Sequence, residues 1–174
     1  MSLHLRLATP EDVPGLLTRL PEWTRAFATP DYLPAHVEIA LREAFGPTLH
    51  RIGLGTWYVV LATTGETIAC GGWSRHRDPP QADAPRDPER EPARILCAFI
   101  APDHARAGLG AVLLARCESE AQQAGFSQGE LLSTPAAVPL YESYGYIAGE
   151  ATRRRLPGGI ELRLVPMQKT LSTP

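Results

Sequence analysis

Residues 95–114, Ile-Leu-Cys-Ala-Phe-Ile-Ala-Pro-Asp-His-Ala-Arg-Ala-Gly-Leu-Gly-Ala-Val-Leu-Leu, decide the fold of this chain. The first six form an apolar run of strand length, which is typical of a strand covered on both faces. Pro102 marks a turn. From Leu109 to Ala124 apolar residues recur at helical spacing, and Gly125 supplies a helix-ending cap. The segment therefore predicts a strand, a turn and an amphipathic helix in succession.

The start of this helix has the features of an anion site. The first backbone amides of a helix have no partner within it, and the helix dipole favours negative charge there. Gly108 and Gly110 leave the backbone free of Cβ atoms, and Arg106 adds a charged donor. The pattern favours a site for linked phosphates on residues 105–111.

Three observations bear on other interpretations of the glycine pair. A second Gly-x-Gly, at Gly53 and Gly55, precedes a predicted strand and is interpreted as a turn. A dinucleotide-binding fold would need a third glycine, which Leu113 replaces. Glu130 lies about 20 residues on, where such a fold has its ribose-binding acid, but it comes before the next strand rather than at its end. The dinucleotide-binding alternative is disfavoured.

The remaining pattern predicts a mixed α/β (α+β) architecture. Strands are expected at 3–7, 57–62, 67–74, 130–133, 146–153 and 160–167, and helices at about 9–20, 34–45 and 136–144. This order predicts a mostly antiparallel sheet of six to seven strands with helices on both faces. Residues 75–92, rich in Pro, Asp and Arg, predict an exposed loop, which is either disordered or a lid.

Composition narrows the class of protein. A chain of 174 residues suits one domain, and its net charge of −2 speaks against a nucleic-acid or anionic-membrane surface. No apolar stretch reaches the ~18 residues of a membrane span, and no signal peptide is visible, so a cytoplasmic protein is expected. The three cysteines lack metal-ligand spacing, so we expect reduced core thiols and no metal site.

Residues 95–114 resemble the acetyl-CoA motif of the GNAT N-acetyltransferase superfamily, which comprises strand four, a pyrophosphate loop and a helix. Residues 133–146 are similar to the family's next motif, Asn-x-x-Ala-x-x-Phe/Leu-Tyr-x-x-x-Gly-Phe/Tyr. The two occur in family order and at family spacing, and both chain ends also resemble family ends. The resemblance implies a single domain over residues 1–174, acetyl-CoA as cofactor, and strands four and five splayed apart around its pantetheine arm.

The resemblance also assigns residues. Backbone groups near Phe99 and Ile100 would bond the pantetheine amides, and Thr134 stands where the family commonly has an Asn that contacts this arm. Tyr141 matches the tyrosine that serves as general acid to the leaving thiolate, and it also lies beside the cofactor. The pyrophosphate would be cradled by the amides of Arg106, Ala107, Gly108, Leu109, Gly110 and Ala111.

Two positions depart from the family pattern. The loop usually opens with Gln or Arg where this chain has Ala105, with Arg106 next, and binding is expected to survive. Arg94 stands where some members have a Glu that acts as general base, so no base transfers from the family. The candidates left open are Glu22, Asp31, Glu89, Glu91 and Glu130.

The leading functional hypothesis is an acyl-CoA-dependent N-acyltransferase that moves acetyl to a primary amine of a small molecule or protein by direct attack. The alternatives are an acyl-CoA-binding sensor without turnover, and transfer of a longer acyl group. Trp23, Phe27 and Tyr32 either line the acceptor site, as that region does in relatives, or pack in the core. A second copy of the chain, forming a homodimer, is a candidate partner beside the amine acceptor.

Overall fold

The computed structural model describes residues 3–26, 51–77, 84–155, 157–159 and 161–171. The helix predicted at 34–45, together with Phe27, Asp31 and Tyr32, lies outside the described residues.

Within these described ranges, eight strands form one mixed sheet. The sheet order is β1-β2-β3-β4-β5-β8-β6, with β7 also pairing β8; β4 and β5 run parallel and every other described pair is antiparallel. This confirms the predicted mixed, mostly antiparallel sheet. The strands are β1 His4–Leu7, β2 Trp57–Leu61, β3 Thr67–Ser74, β4 Ala93–Ile100, β5 Gln128–Ser133, β6 Ile147–Ala148, β7 Thr152–Arg155 and β8 Glu161–Thr170.

The eighth strand arises because the strand predicted at 146–153 is divided. Its first part pairs Ala148 with Met167, whereas its second pairs Thr152 with Leu164, so the register against β8 shifts by one residue between them. Such a shift interrupts the ladder and leaves two short strands. Six to seven strands were expected, and the interruption adds one.

Helices cover both faces of the sheet, as predicted. They are α1 Val13–Ala26, α2 Leu109–Gln123 and α3 Val138–Ser143. The buried residues of α2, which pack on one face, are Leu109, Leu113, Leu114, Cys117 and Ala121. The other face carries the α1 core, whose buried members are Ala8, Leu16, Leu20, Trp23, Ile52, Trp57, Val59 and Cys70.

Helix α1 is longer than predicted, because the sequence pattern ends it near Leu20 while the structure continues it to Ala26 through Pro21. The apolar spacing explains the extension: Leu16, Leu20 and Trp23 lie on one helical face, and all three are buried. Burial of Trp23 offsets the hydrogen bond that Pro21 removes from the helix. Of the two interpretations of Trp23, the core position is the observed one.

Strands β4 and β5 separate soon after they begin. Among the described residues they pair only at Ala93 with Gly129 and at Arg94 with Glu130. Beyond this point β4 stays paired to β3, and β5 stays paired to β8. The expected splay between the fourth and fifth strands is confirmed.

A bulge in β4 lies at the splay. Gly72 pairs with Leu96 but Cys70 pairs with Phe99, so β4 holds one extra residue opposite Gly71. A Cβ atom on Gly71 would lie 2.8 Å from Cys97 Sγ, and this thiol in turn lies 3.2 Å from Cys117 Sγ on α2. Glycine is therefore required here by the close approach of the Cys97 side chain.

An ion pair stabilises the turn that precedes α1. Both oxygens of Asp12 accept from the Arg6 guanidinium, at 2.7 and 2.8 Å, and Oδ2 also accepts from the Thr9 amide at 2.7 Å. These bonds, chiefly the one from Arg6, lower the pKa of Asp12 from 3.8 to about 2. The carboxylate thus ties β1 to the turn that begins the helix.

We expect Asp12→Asn to lower the free energy of unfolding by about 1 kcal/mol at pH 7, allowing for solvent screening at the partly exposed Arg6. Because the folded pKa of Asp12 is depressed, its contribution is present above pH 3.8 and is lost as pH falls towards 2. Urea unfolding of both proteins at several pH values measures this. A difference that persists unchanged at pH 2 would contradict the assignment.

We expect Gly71→Ala to destabilise the protein by about 1–3 kcal/mol, because the new methyl group overpacks against the Cys97 thiol. Adding Cys97→Ala removes Sγ and leaves contacts of 3.4 Å, so the double variant should recover most of the loss. The matched control is Gly53→Ala, where a Cβ meets nothing within 4 Å. Equal losses for the two glycines in urea unfolding would argue against the close approach.

Candidate functional site

The loop between β4 and α2 has an unusual backbone. Pro102–His104 form one helical turn, and residues 105–108 are exposed. Gly108 is the N-cap of α2 with φ +76°, and Arg106 also has a positive φ of 64°. A left-handed conformation costs a residue with a side chain roughly 1–2 kcal/mol, so the loop holds Arg106 under strain.

The amides at the start of α2 have no acceptors in the described structure. The first backbone bond of the helix runs from the Val112 amide to the Gly108 carbonyl, at 3.2 Å. The amides of residues 106–111 donate to no described backbone carbonyl, and no side chain caps the helix. A row of amides at a helix start that donate to no described acceptor, the first of them on exposed residues, is the arrangement that can bind an anion.

The two glycines of the loop have different roles. At Gly108 a Cβ would meet nothing within 4 Å, so the positive φ is what favours glycine there. At Gly110 a Cβ would lie 3.4 Å from Ile100 Cδ1, so the helix start sits close to the end of β4. The sequence pattern predicted that both glycines leave the backbone accessible to phosphate. It did not predict that Gly110 also makes room for the Ile100 side chain.

Phe99 and Ile100 lie at the end of β4, beside the splay. Their pairing partners on β3 are Cys70 and Ala69, and the β4–β5 pairing lies at the other end of the strand, at Ala93 and Arg94. The Phe99 ring stacks on Trp57 at 6.3 Å between centroids, which fixes the strand against the α1 core. Both residues therefore lie on the part of β4 that has separated from β5.

Tyr141 spans the splay from the other side. It lies on α3, which follows β5, and its hydroxyl donates to the carbonyl of Cys97 at the β4 bulge. Burial raises the pKa of Tyr141 above its ordinary value of 10.0, so the phenol is protonated at neutral pH. The structure thus brings Tyr141 and the fourth strand together. The sequence pattern could not identify the Cys97 carbonyl as the acceptor, because a backbone group has no side-chain signature.

Thr134 lies at the exposed end of β5, where the chain turns into Pro135–Ala137. Its carbonyl accepts from Ser133 Oγ at 2.8 Å and from the Ala137 amide at 3.0 Å. The residue therefore lies on the β5 side of the splay, whereas Phe99 and the loop amides lie on the β4 side.

The candidate bases that the structure describes are engaged elsewhere or exposed. Glu130 Oε1 lies 2.7 Å from Arg86 and 4.0 Å from Arg94, and both arginines are largely buried. Glu91 pairs with Arg77 at 2.5 Å, and this bond lowers the pKa of Glu91. Glu22 and Glu89 are exposed. Within the described residues, none of these carboxylates hydrogen-bonds to the Tyr141 hydroxyl.

The described parts of the 75–92 segment are tied to the sheet. Arg86 donates to the carbonyls of Pro92 and His76, at 2.9 and 3.3 Å, in addition to its ion pair with Glu130. The Arg86 amide also bonds the Arg75 carbonyl at 2.6 Å. The flanks of the segment are therefore anchored against the start of β5. Within the described residues, no helix has both the length and the apolar character needed to cross a bilayer.

Comparison with known proteins supports the same family. The Acetyltransferase (GNAT) domain matches residues 86–171, about half of the chain. This match covers β4, the loop, α2, β5 and α3 with Tyr141, which are the elements that form the candidate site. A comparison with curated proteins finds no match.

Solved structures share the fold along nearly the whole chain. A GCN5-related N-acetyltransferase from Rhodopseudomonas palustris has a TM-score of 0.76 at 16% identity, covering 98% of this chain and 96% of its own. The PaiA N-acetyltransferase from Thermoplasma acidophilum, solved with coenzyme A, scores 0.67 at 15% identity over 98% and 99%. A phosphinothricin acetyltransferase from Sinorhizobium meliloti, solved with acetyl-CoA, scores 0.66 at 20% identity over 99% and 90%. With the domain match, the observed topology and the two sequence motifs, the chain belongs to the GNAT superfamily of acetyltransferases.

Proposed function

We propose that this protein is an acyl-CoA-dependent N-acyltransferase that moves acetyl from acetyl-CoA to a primary amine. One observation carries the proposal: the loop amides that donate to no described acceptor, the end of β4 at Phe99 and Ile100, and the Tyr141 hydroxyl all lie along the splay between two parallel strands. Each of the three suits a different part of the cofactor, namely its phosphates, its amide-bearing arm and its sulfur.

In this proposal, backbone groups bind the cofactor more than side chains do. The amides of residues 106–111 would hold the pyrophosphate, and the exposed Arg106 guanidinium would add charge-assisted hydrogen bonds. Backbone groups near Phe99 and Ile100 would bond the pantetheine amides, and Thr134 would contact the same arm from the β5 side. Because these groups are already oriented, little conformational entropy is lost on binding.

The bound cofactor supplies an acyl group activated as a thioester. In this proposal Tyr141 holds a proton on its hydroxyl oxygen and gives it to the leaving sulfur, exchanging its bond to the Cys97 carbonyl. The raised pKa of Tyr141 keeps that proton in place across neutral pH. A backbone amide of β4 would stabilise negative charge on the acyl oxygen.

The amine has to be neutral before it attacks. For a group with a pKa near ~10.4, deprotonation at pH 7 costs roughly 4–5 kcal/mol. Glu130, the nearest candidate along β5, is shared with Arg86, which favours its role as an ion-pair partner. We therefore assign proton removal to water reaching the cleft and not to a carboxylate of β4 or β5.

The competing hypothesis is a module that binds acyl-CoA without turnover. Arg94 in place of a strand-four Glu favours it, and Tyr141 beside the β4 bulge favours catalysis. Release of free thiol from acetyl-CoA in the presence of a panel of primary amines separates the two. Release with any amine excludes the sensor, whereas binding of coenzyme A with no release across the panel supports it.

We expect Gly108→Asp to weaken coenzyme A binding by at least about 100-fold, or ~2.7 kcal/mol, because a carboxylate would face the phosphates. Gly55→Asp is a matched control, since Gly55 has a similar φ of +71° and equally open surroundings. Both variants should lose similar stability, but only the first should lose affinity in calorimetric titration. Normal affinity in the Gly108 variant would remove the phosphates from this loop.

We expect Tyr141→Phe to lower kcat by about 100-fold while the KM for acetyl-CoA changes less than about threefold, because the lost hydroxyl acts in the transition state. Tyr144→Phe, which removes a hydroxyl from the same segment, serves as the control and should leave kcat near the wild-type value. Steady-state thiol-release kinetics measure both. Equal losses in kcat and in affinity would assign Tyr141 to binding alone.

A further inference from the structure

The only lysine of the chain makes a partly buried ion pair beside the site. Lys169, on β8, places its Nζ 2.7 Å from Glu118 Oε2 on α2, and the two side chains are 26% and 16% exposed. The pair links the helix that begins at the loop amides to the C-terminal strand of the sheet. Nothing in the proposed binding of the cofactor uses either residue.

A tyrosine lies under this ion pair. The Lys169 ammonium is 5.6 Å from the centre of the Tyr146 ring, a distance typical of a cation–π contact. The Tyr146 hydroxyl and the second oxygen of Glu118, Oε1, are both buried without a hydrogen-bond partner in the described structure. Burial, and after it the neighbouring Glu118 carboxylate, raises the pKa of Tyr146, so its phenol stays protonated at neutral pH.

The surroundings leave Tyr146 little freedom. Its ring is 2% exposed, and a Cβ on Gly129 of β5 would lie 3.5 Å from its hydroxyl. The Lys169 ammonium therefore contacts both the Glu118 carboxylate and the face of the Tyr146 ring. With the ring enclosed in this way, the ion pair is part of what surrounds it.

Tyr146 in turn contacts Tyr141. The two rings meet edge to face, with centroids 6.1 Å apart and an interplanar angle of 74°. The Tyr146 amide donates to the Tyr141 carbonyl at 3.1 Å. Helix α3 has six residues, none of them fully buried, and Val138 and Tyr141 are the members that pack partly against the core. The orientation depends on the Tyr146 ring and on the bond to the Cys97 carbonyl.

We propose that Lys169 and Glu118 are positioning residues for Tyr141. Their ion pair fixes Tyr146, and the Tyr146 ring holds the Tyr141 hydroxyl at the β4 bulge. The inference rests on the proposed function, in which that hydroxyl protonates the leaving sulfur. Loss of the ion pair should therefore appear in the rate, because displacement of a reacting group by about 1 Å can cost up to ~100-fold in rate.

The first test separates rate from binding and stability. We expect Lys169→Met and Glu118→Gln each to lower kcat about tenfold, with the KM for acetyl-CoA within about twofold and a melting temperature close to that of the wild type. Lys169→Arg keeps the charge over the ring and should restore kcat to within about threefold. A rise in KM with kcat unchanged, or no rescue by arginine, would overturn the proposal.

The matched control is Arg116→Met. Arg116 also lies on α2, pairs with a glutamate, Glu120 at 3.5 Å, and sits 5.4 Å over a tyrosine ring, that of Tyr58. It repeats the chemistry of the Lys169 cluster away from Tyr141. We expect this variant to keep the wild-type kcat, and a tenfold loss there would show that removing any cation paired with a glutamate of α2 has the same effect.

A double-mutant cycle tests whether Lys169 acts through the tyrosine. In a Tyr141→Phe background, Lys169→Met should cause no further loss of kcat, since the group that it positions is gone. A further tenfold loss would mean that Lys169 acts independently, and the proposal would fail.

A measurement without turnover keeps this inference separate from the proposed function. With tyrosine rings labelled with ¹³C, the Tyr141 resonance, assigned by its loss in Tyr141→Phe, should shift in Lys169→Met and not in Arg116→Met. An unchanged resonance would overturn the positioning role even if the enzyme is active. A shifted resonance in a protein that releases no thiol with any amine would support the positioning and reject the transferase.

Discussion

The structure depends on the interruption of hydrogen bonding between β4 and β5. After two residue pairs the strands separate, β4 continuing along β3 and β5 along β8 in the part of the chain that the structure describes. Buried backbone groups without partners cost roughly 1–3 kcal/mol each, so an open edge inside a sheet has to be satisfied by something other than a strand. Tyr141 satisfies one such group, the Cys97 carbonyl, and a ligand that carries amides can satisfy others.

The bulge in β4 determines which groups of the strand face the splay and which face α2. One extra residue opposite Gly71 changes which backbone groups face β3 and which face the splay, and it turns the Cys97 thiol towards α2. The same residue therefore packs with its side chain against the helix and offers its carbonyl to Tyr141. Because α2 is fixed by this packing and by Gly110 against Ile100, its first amides are held in place before any ligand arrives.

The sequence pattern predicts local structure well where the decisive interactions are local. The apolar run, the glycine pair and the helical spacing of residues 95–114 predict the strand, loop and helix that the structure has at Ala93–Ile100 and Leu109–Gln123. It fails where distant contacts decide. Pro21 stays helical because Trp23 is buried under the sheet, and the 146–153 strand divides because its register is set by β8. Neither cause is visible within a window of a few residues.

In the candidate site, too, the sequence motif identifies some residues, whereas contacts between distant residues determine the rest. The motif singles out Tyr141 and the loop glycines, but the partner of the tyrosine is a carbonyl, and the Lys169 and Glu118 pair joins residues 51 positions apart. Arg94 and Arg86 hold Glu130 in an ion pair where a basic carboxylate would otherwise be sought. Because Glu130 is paired with arginine, the proposed reaction depends most on protonation of the leaving sulfur. Such protonation is sensitive to the direction of a single O–H bond, which gives the residues that orient the Tyr141 ring a direct influence on the rate.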